Sequence, residues 1–177
     1  SMARRSGMSL PDAAGALAKV PAVPGRMEPV PAPGLGCRIF IDFAHTPEAL
    51  AKALEALRPM TPGRVIAVFG CGGCRDKGKR PLMGAAAGQY ADLTVLTSDN
   101  PRTEDPLAII RDILPGLSGP HLVIPDRREA IFRALDLARP GDTVILCGKG
   151  HETTQETGGQ WLPLDERQIS AEDINRS

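Results

Sequence analysis

From residue 37 onward, short runs rich in β-branched and apolar residues alternate with helical patterns, and little else in the sequence restricts the fold as much. The strand candidates are Arg38–Phe43, Arg64–Phe69, Leu93–Thr97, His121–Ile124 and Thr143–Cys147. They are apolar almost throughout, as parallel strands covered on both faces must be. Between them lie the helix candidates Pro47–Leu57, Pro81–Tyr90, Pro106–Leu114 and Arg127–Ala138. Three of these open on a proline, whose fixed φ suits the first helical turn. Thr46 and Asp126 stand as caps before two of them. Regular strand–helix alternation predicts an α/β fold, a three-layer Rossmann-like sandwich on a mainly parallel sheet of about six strands.

The two ends of the chain read differently. Thr153–Thr157 and Gln160–Leu164 flank Gly158-Gly159, the signature of a β-hairpin, which is expected to add the one antiparallel strand to the sheet. Asp165–Ile174 has weak helical character. Residues 8–20 carry Leu10, Ala13, Ala14 and Leu17 at helical spacing, with Ser9 as a cap. Residues 21–36 are too dense in Pro and Gly for regular structure and read as a linker or an extended covering strand. The expected organisation is therefore a helix left over from a preceding domain within residues 1–20, a linker over 21–36, and a C-terminal domain over 37–177. Ser1-Met2 reads as an expression remnant.

Composition narrows the function. Lys+Arg and Asp+Glu are both 21, giving a formal net charge of zero, and aromatic residues make up 3%. A duplex-binding protein shows a basic excess and a single-strand binder shows stacking aromatics, so no nucleic-acid partner is expected. No apolar run reaches the roughly 18 residues of a membrane span, so no membrane association is expected either. Four cysteines, Cys37, Cys71, Cys74 and Cys147, are too few for a disulfide framework, and a reduced, cytoplasmic setting follows. Cys71-x-x-Cys74 lacks the second close pair of a zinc ribbon, so no metal site is expected.

Ligands of open α/β sheets bind beyond the carboxyl ends of the strands. Those ends here read Asp42-Phe-Ala-His45, Gly70-Cys-Gly-Gly-Cys-Arg75-Asp-Lys-Gly-Lys-Arg80, Ser98-Asp99-Asn100-Pro101-Arg102 and Gly148-Lys149-Gly150-His151-Glu152. So many ionisable groups on one sheet edge cost desolvation unless a polar ligand meets them. Gly73-x-x-x-x-Gly78-Lys79 approaches a phosphate-cradling loop, but Arg80 stands where that loop needs a hydroxyl for magnesium. The segment reads better as glycine backbone plus cationic side chains receiving an anion. Asp99-Asn100-Pro101-Arg102 presents an acid, an amide and a guanidinium on a stiff turn. That set suits an amino acid, because Arg forks a carboxylate while Asp and Asn accept from an ammonium. An internal Asp–Arg pair on a surface turn accounts for the same residues equally well. His45 and His151 are each ligand contacts or loop-linking hydrogen bonders, with His45 the stronger ligand candidate.

These segments resemble a known family. Asp42-Phe-Ala-His-Thr-Pro47, Val68–Gly84, Asp99-Asn-Pro-Arg102 and Gly148-Lys-Gly-His-Glu152 occur in the order found in the Mur ligases, and Val23–Glu28 resembles their interdomain linker. The similarity covers residues 8–174 and is strongest to the C-terminal domain of the branch that adds an amino acid to UDP-N-acetylmuramoyl-L-alanyl-D-glutamate, in peptidoglycan synthesis. The resemblance implies an ATP-dependent ligase. ATP phosphorylates the γ-carboxylate of the D-glutamyl residue, and the amine of the third amino acid attacks the acyl phosphate. It further implies that Arg26, Asp42 and His45 contact ATP, and that Arg75, Asp99, Asn100, Arg102, Gly148 and Glu152 hold the amino acid. The Asp-Asn-Pro-Arg form is associated with meso-diaminopimelate rather than lysine, and a second carboxylate is what a second arginine would bind.

Two departures matter. Cys74 stands where the family usually has Asp. The family's Mg2+-binding P-loop, carbamylated lysine and nucleotide-sugar pocket lie upstream of the matched region, so this stretch by itself carries no catalytic residues and is expected to be inactive alone. A small-anion or amino-acid binding module without ligase activity, and a lysine-adding ligase, are the alternatives. A dinucleotide-dependent oxidoreductase is disfavoured, since no G-x-G-x-x-G opens a helix after the first strand.

Overall fold

Four of the strands take the β conformation because their alternate side chains can be buried on both faces of one sheet. A computed structural model describes residues 9–17 and 23–174. The described elements are α1 (Leu10–Leu17), β1 (Glu28–Val30), β2 (Arg38–Asp42), α2 (Pro47–Leu57), β3 (Val65–Phe69), α3 (Lys79–Tyr90), β4 (Leu93–Leu96), α4 (Pro106–Ile113), β5 (His121–Val123), α5 (Arg127–Leu137), β6 (Thr143–Cys147), β7 (Thr154–Thr157), β8 (Gln160–Pro163) and α6 (Glu166–Ile174). Single 3-10 turns at Arg58–Met60 and Leu114–Gly116 follow α2 and α4.

The sheet order is β1-β2-β6-β3-β4-β5. Every pairing is parallel except β1 with β2. From β2 through β5 the chain steps one way across the sheet, and β5 to β6 steps back. Right-handed crossovers then place α2, α3 and α4 on one face and α5 on the other. The two cores follow from the period of two along each strand. Val65, Ala67, Phe69 and Ile145 pack with Leu50, Leu54, Met83 and Ile110 on the first face. Ile66, Val68, Val144 and Leu146 pack with Ile131, Leu135 and Ile169 on the second. The expected three-layer α/β sandwich is thus the fold.

The source of the antiparallel strand differs from expectation. β7 and β8 pair only with each other and form a separate two-stranded sheet. The antiparallel edge comes instead from Glu28–Val30, inside the Pro- and Gly-rich stretch. Pro29 is tolerated there because an edge strand leaves half of its backbone donors unpaired. The hairpin lies off the sheet with all four β8 residues exposed, Trp161 and Leu162 among them. α1 is present, with Leu10 exposed; residues 8 and 18–20 of the expected helix lie outside the described residues.

One ion pair joins the layers. Arg127, at the start of α5, is buried, and so is its partner Glu166 at the start of α6, with Nε to Oε1 at 2.8 Å. Its Nη1 donates to Ser98 O at 3.0 Å, just past β4, and its Nη2 to Cys147 O at 2.8 Å, the last residue of β6. Glu166 Oε2 finds no partner among the described residues. Removing one member of a buried pair strands the other charge. Arg127→Met is therefore expected to lower unfolding free energy by about 3–5 kcal/mol, while Arg127→Met/Glu166→Leu recovers more than half of that loss. Urea titrations of the three proteins check this.

Candidate functional site

The carboxyl ends of β2, β3, β4 and β6 open onto one cleft of about 420 Å³. It is lined by Phe43 and His45 after β2, Gly70 to Gly72, Arg75 and Lys79 after β3, Asp99, Asn100 and Arg102 after β4, and Gly148 and Glu152 after β6. All six residues expected to hold an amino acid therefore meet in one cavity, and His45 joins them. Arg26 and Asp42 do not line it. Asp42 is consumed structurally: its Oδ1 accepts from Ala44 N at 2.8 Å and its Oδ2 from Met27 N at 2.7 Å, fastening the entering strap to β2. Arg26 lies over the Phe43 ring, 4.8 Å from its centroid. His45 meets the same ring edge-on at 4.6 Å, and His151 lies 5.6 Å from it. His45 Nδ1 is hydrogen-bonded to Phe43 O, which leaves Nε2 for a ligand.

Two glycines let the segments around the cleft approach closely. A Cβ on Gly73 would lie 1.9 Å from Pro101 O, so the loop after β3 and the loop after β4 touch only because Gly73 has no side chain. Gly148, at φ +114, would drive a Cβ to 2.4 Å from Asp99 Oδ2. Its N–H is already given to Asp42 O, so Gly148 contributes space to the cleft and not a donor.

The polar walls hold one another in place. Lys149 has a fully buried side chain and donates to Asn100 Oδ1 at 3.0 Å and Glu152 Oε2 at 3.2 Å. Asn100 Nδ2 donates to the same Glu152 oxygen at 3.0 Å. Burial opposes ionisation of Glu152, but the Asn100 amide and the Lys149 ammonium outweigh it and hold the carboxyl below its ordinary range. Asp99 Oδ1 accepts from Asn100 N at 2.6 Å. Arg102 pairs with Glu156 and not with Asp99, so the internal Asp–Arg turn is absent. Arg75 is exposed, and among the described residues no carboxylate pairs with it. The cleft thus presents guanidinium on one side and carboxylate on the other.

Several functional and structural roles escaped the sequence. Arg80, read as the failure of a phosphate loop, is buried and binds Glu104 and Asp112 at 3.0 and 2.8 Å. Lys149 sits beneath the cleft, where a lysine between two glycines gave no sign of burial. Glu156 and Gln155, which hold Arg102 and the Asp99 carbonyl, come from the hairpin, and no spacing in the chain links them to that loop. Cys74 adopts φ +52, a left-handed conformation in which Asp and Asn are favoured over most residues, and its Sγ contacts Thr103 Oγ1 at 3.2 Å. Burial pushes the neighbouring Cys71 thiol up to about 12, which removes it from thiolate chemistry at neutral pH. Among the described residues no cluster of three or more metal-ligating side chains occurs.

Comparison with known proteins accounts for this geometry. Residues 25–150 match the model of the Mur ligase glutamate ligase domain. The chain is 50% identical over 161 residues to UDP-N-acetylmuramoyl-L-alanyl-D-glutamate–2,6-diaminopimelate ligase of Syntrophomonas wolfei, covering 89% of this chain and 33% of the relative. The corresponding ligase of Caldanaerobacter subterraneus is 52% identical over 158 residues, covering 88% and 33%. The chain therefore spans about a third of the length of the curated relatives it matches. A solved structure of a UDP-N-acetylmuramoyl-L-alanyl-D-glutamate–2,6-diaminopimelate ligase superimposes with a TM-score of 0.82 at 39% identity, over 99% of this chain and 36% of that one. UDP-N-acetylmuramate-alanine ligase of Thermotoga maritima shares the fold at a TM-score of 0.65 and 17% identity, over 99% and 35%. On the fold, the loop segments and these matches together, the chain belongs to the Mur ligase family, as a C-terminal domain of the glutamate ligase type.

Proposed function

We propose that this chain is the amino-acid-binding domain of an ATP-dependent ligase that adds meso-diaminopimelate to UDP-N-acetylmuramoyl-L-alanyl-D-glutamate in the cytoplasm, during peptidoglycan synthesis. One observation carries the reading. A single cleft gathers Arg75 and Arg102 with Asp99 and Glu152, which is the charge pattern that a ligand with two carboxylates and two ammonium groups requires. In this assignment Arg75 and Arg102 receive the distal carboxylate. Glu152, kept ionised by Asn100 and Lys149, and Asp99 receive the neighbouring ammonium. Asn100 and Gly148 shape the space between them.

ATP activates the γ-carboxylate of the D-glutamyl residue as an acyl phosphate. Of this chain's residues, Arg26 and His45 fit the ATP side, since both are exposed beside Phe43 and Arg26 lacks a carboxylate partner among the described residues. Asp42 supports them by fixing the strap that carries Arg26. Mg2+ and most of the ATP contacts fall to a domain preceding this one. The free amine of the bound amino acid attacks the acyl carbon, phosphate departs with the bonding pair, and an amide remains. The contribution of this domain is orientation, which lowers the barrier by pre-arranging the attacking amine.

Two outcomes are expected. A complete ligase containing this domain should prefer meso-diaminopimelate to L-lysine in kcat/KM by at least a hundredfold, about 2.7 kcal/mol. Lysine would present an ammonium to the arginines and lose a charge-assisted contact. Arg102→Ala should cut the ratio tenfold or more; equal use of both amino acids by wild type would end the proposal. The second outcome concerns pH. Because the Glu152 carboxyl is lowered from its ordinary 4.5, its ionised form stabilises the fold fully above that value, and the contribution is lost as pH falls through the lowered value. The stability difference between wild type and Glu152→Gln should stay constant from pH 7 to 5 and shrink below 4.5, in urea titrations across that range.

A further inference from the structure

Arg102 is the cleft residue whose pose is most constrained, and the constraint comes from outside the cleft. Its φ is +56, a left-handed conformation that a side chain of this length keeps only where the surroundings impose it. β7 imposes it. Arg102 N donates to Glu156 O at 3.0 Å, Gly158 N donates to Arg102 O at 2.6 Å, and the two chains form a parallel bridge at Thr157. The side chain is held as firmly. Nε lies 3.2 Å from Glu156 Oε2, and Nη1 donates to Gly73 O at 2.8 Å and to Asn100 O at 3.4 Å. Of the three guanidinium nitrogens, only Nη2 has no partner among the described residues. Glu156 N also donates to Asn100 Oδ1 at 2.9 Å, so the same hairpin residue braces a second wall of the cleft.

This arrangement excludes the usual two-nitrogen fork to a ligand carboxylate, because both forks need Nε or Nη1 alongside Nη2. Arg102 can offer one nitrogen, in one direction. We infer that Glu156 is the specificity-setting positioning residue of the cleft: by occupying Nε of Arg102 it aims Nη2 at a single oxygen of the ligand's distal carboxylate, leaving the other oxygen to Arg75. The inference rests on the amino-acid-binding reading above and adds to it a residue from the hairpin, far from the loop motifs in sequence. Without the Glu156 carboxylate the guanidinium is held at Nη1 alone, can turn about that anchor, and meets carboxylate and ammonium ligands with less distinction.

The test uses Glu156→Ala, which removes the ion-pair partner, and Glu156→Gln, which keeps an oxygen beside Nε without the full charge. Both are made in the complete ligase, and thermal melts confirm folding. In Glu156→Ala, KM for meso-diaminopimelate should rise about tenfold with kcat within twofold of wild type, and the preference over L-lysine should fall about tenfold. Glu156→Gln should restore both to within threefold. A hairpin that merely stabilised the fold would move melting temperature and kcat together and leave the preference unchanged. Trp161 gives a direct readout in this chain. It is the sole tryptophan and pairs across the hairpin with Glu156, so titration with meso-diaminopimelate should change its fluorescence, with a tenfold weaker midpoint in Glu156→Ala. If wild type prefers meso-diaminopimelate and Glu156→Ala keeps that preference within twofold, the inference fails and the amino-acid reading stands. The inference also fails if Glu156→Gln loses as much as Glu156→Ala. A wild type without preference overturns both.

Discussion

The architecture of the binding edge depends on one buried guanidinium. Arg127 caps two carbonyls, at Ser98 just past β4 and at Cys147 at the end of β6, on either side of β3, and it anchors Glu166 from the terminal helix. Backbone carbonyls at strand ends have lost their ladder partners, and buried ones must be satisfied by something else. A single planar cation with a fixed fork does this for both at once. The residues that follow those carbonyls, Asp99 and Gly148, line the cleft. Their relative position is therefore set from behind, by a residue that no ligand touches.

A second tier of charge works on the front. Lys149 is buried under Asn100 and Glu152, and Glu156 stands beside Arg102. Asn100, Glu152 and Arg102 are thus each matched by a charged partner behind the cleft. The cleft can keep separated charges without a ligand because those partners already satisfy part of each group's hydrogen-bonding capacity. Pre-arranged dipoles and ions of this kind need no reorganisation to meet a charged ligand.

How much of this was legible in the sequence divides along a physical line. The layers were legible because burial on two faces leaves an unbroken apolar signature in Val65–Phe69 and Thr143–Cys147, and because Thr46 and Asp126 announce helix starts. The edge of the sheet was not. β1 has three residues, one of them Pro29, and the strap that carries it is fastened from other segments, by Asp42 at Met27 N and by Arg167 at Glu28. In the cleft, residues directly after strands could be gathered by topology alone. Arg127, Lys149 and Glu156 could not, since their roles arise from contacts between segments dozens of residues apart, or from burial that the local pattern does not show.

Gly73 and Gly148 carry a consequence for how such a pocket can diverge. A side chain at Gly73 would strike the Pro101 carbonyl of the next loop, and one at Gly148, on a left-handed backbone, would strike the Asp99 carboxylate, so neither position can be substituted without displacing what surrounds the cleft. Variation in what the cleft accepts is confined to its charged walls and to the hairpin behind them. A lineage that changes amino-acid preference is thereby steered toward exchanging side chains at Arg75, Arg102 and Glu156, over an invariant backbone. A mutational library for altered selectivity is best concentrated at the same three positions, with both glycines left unrandomised.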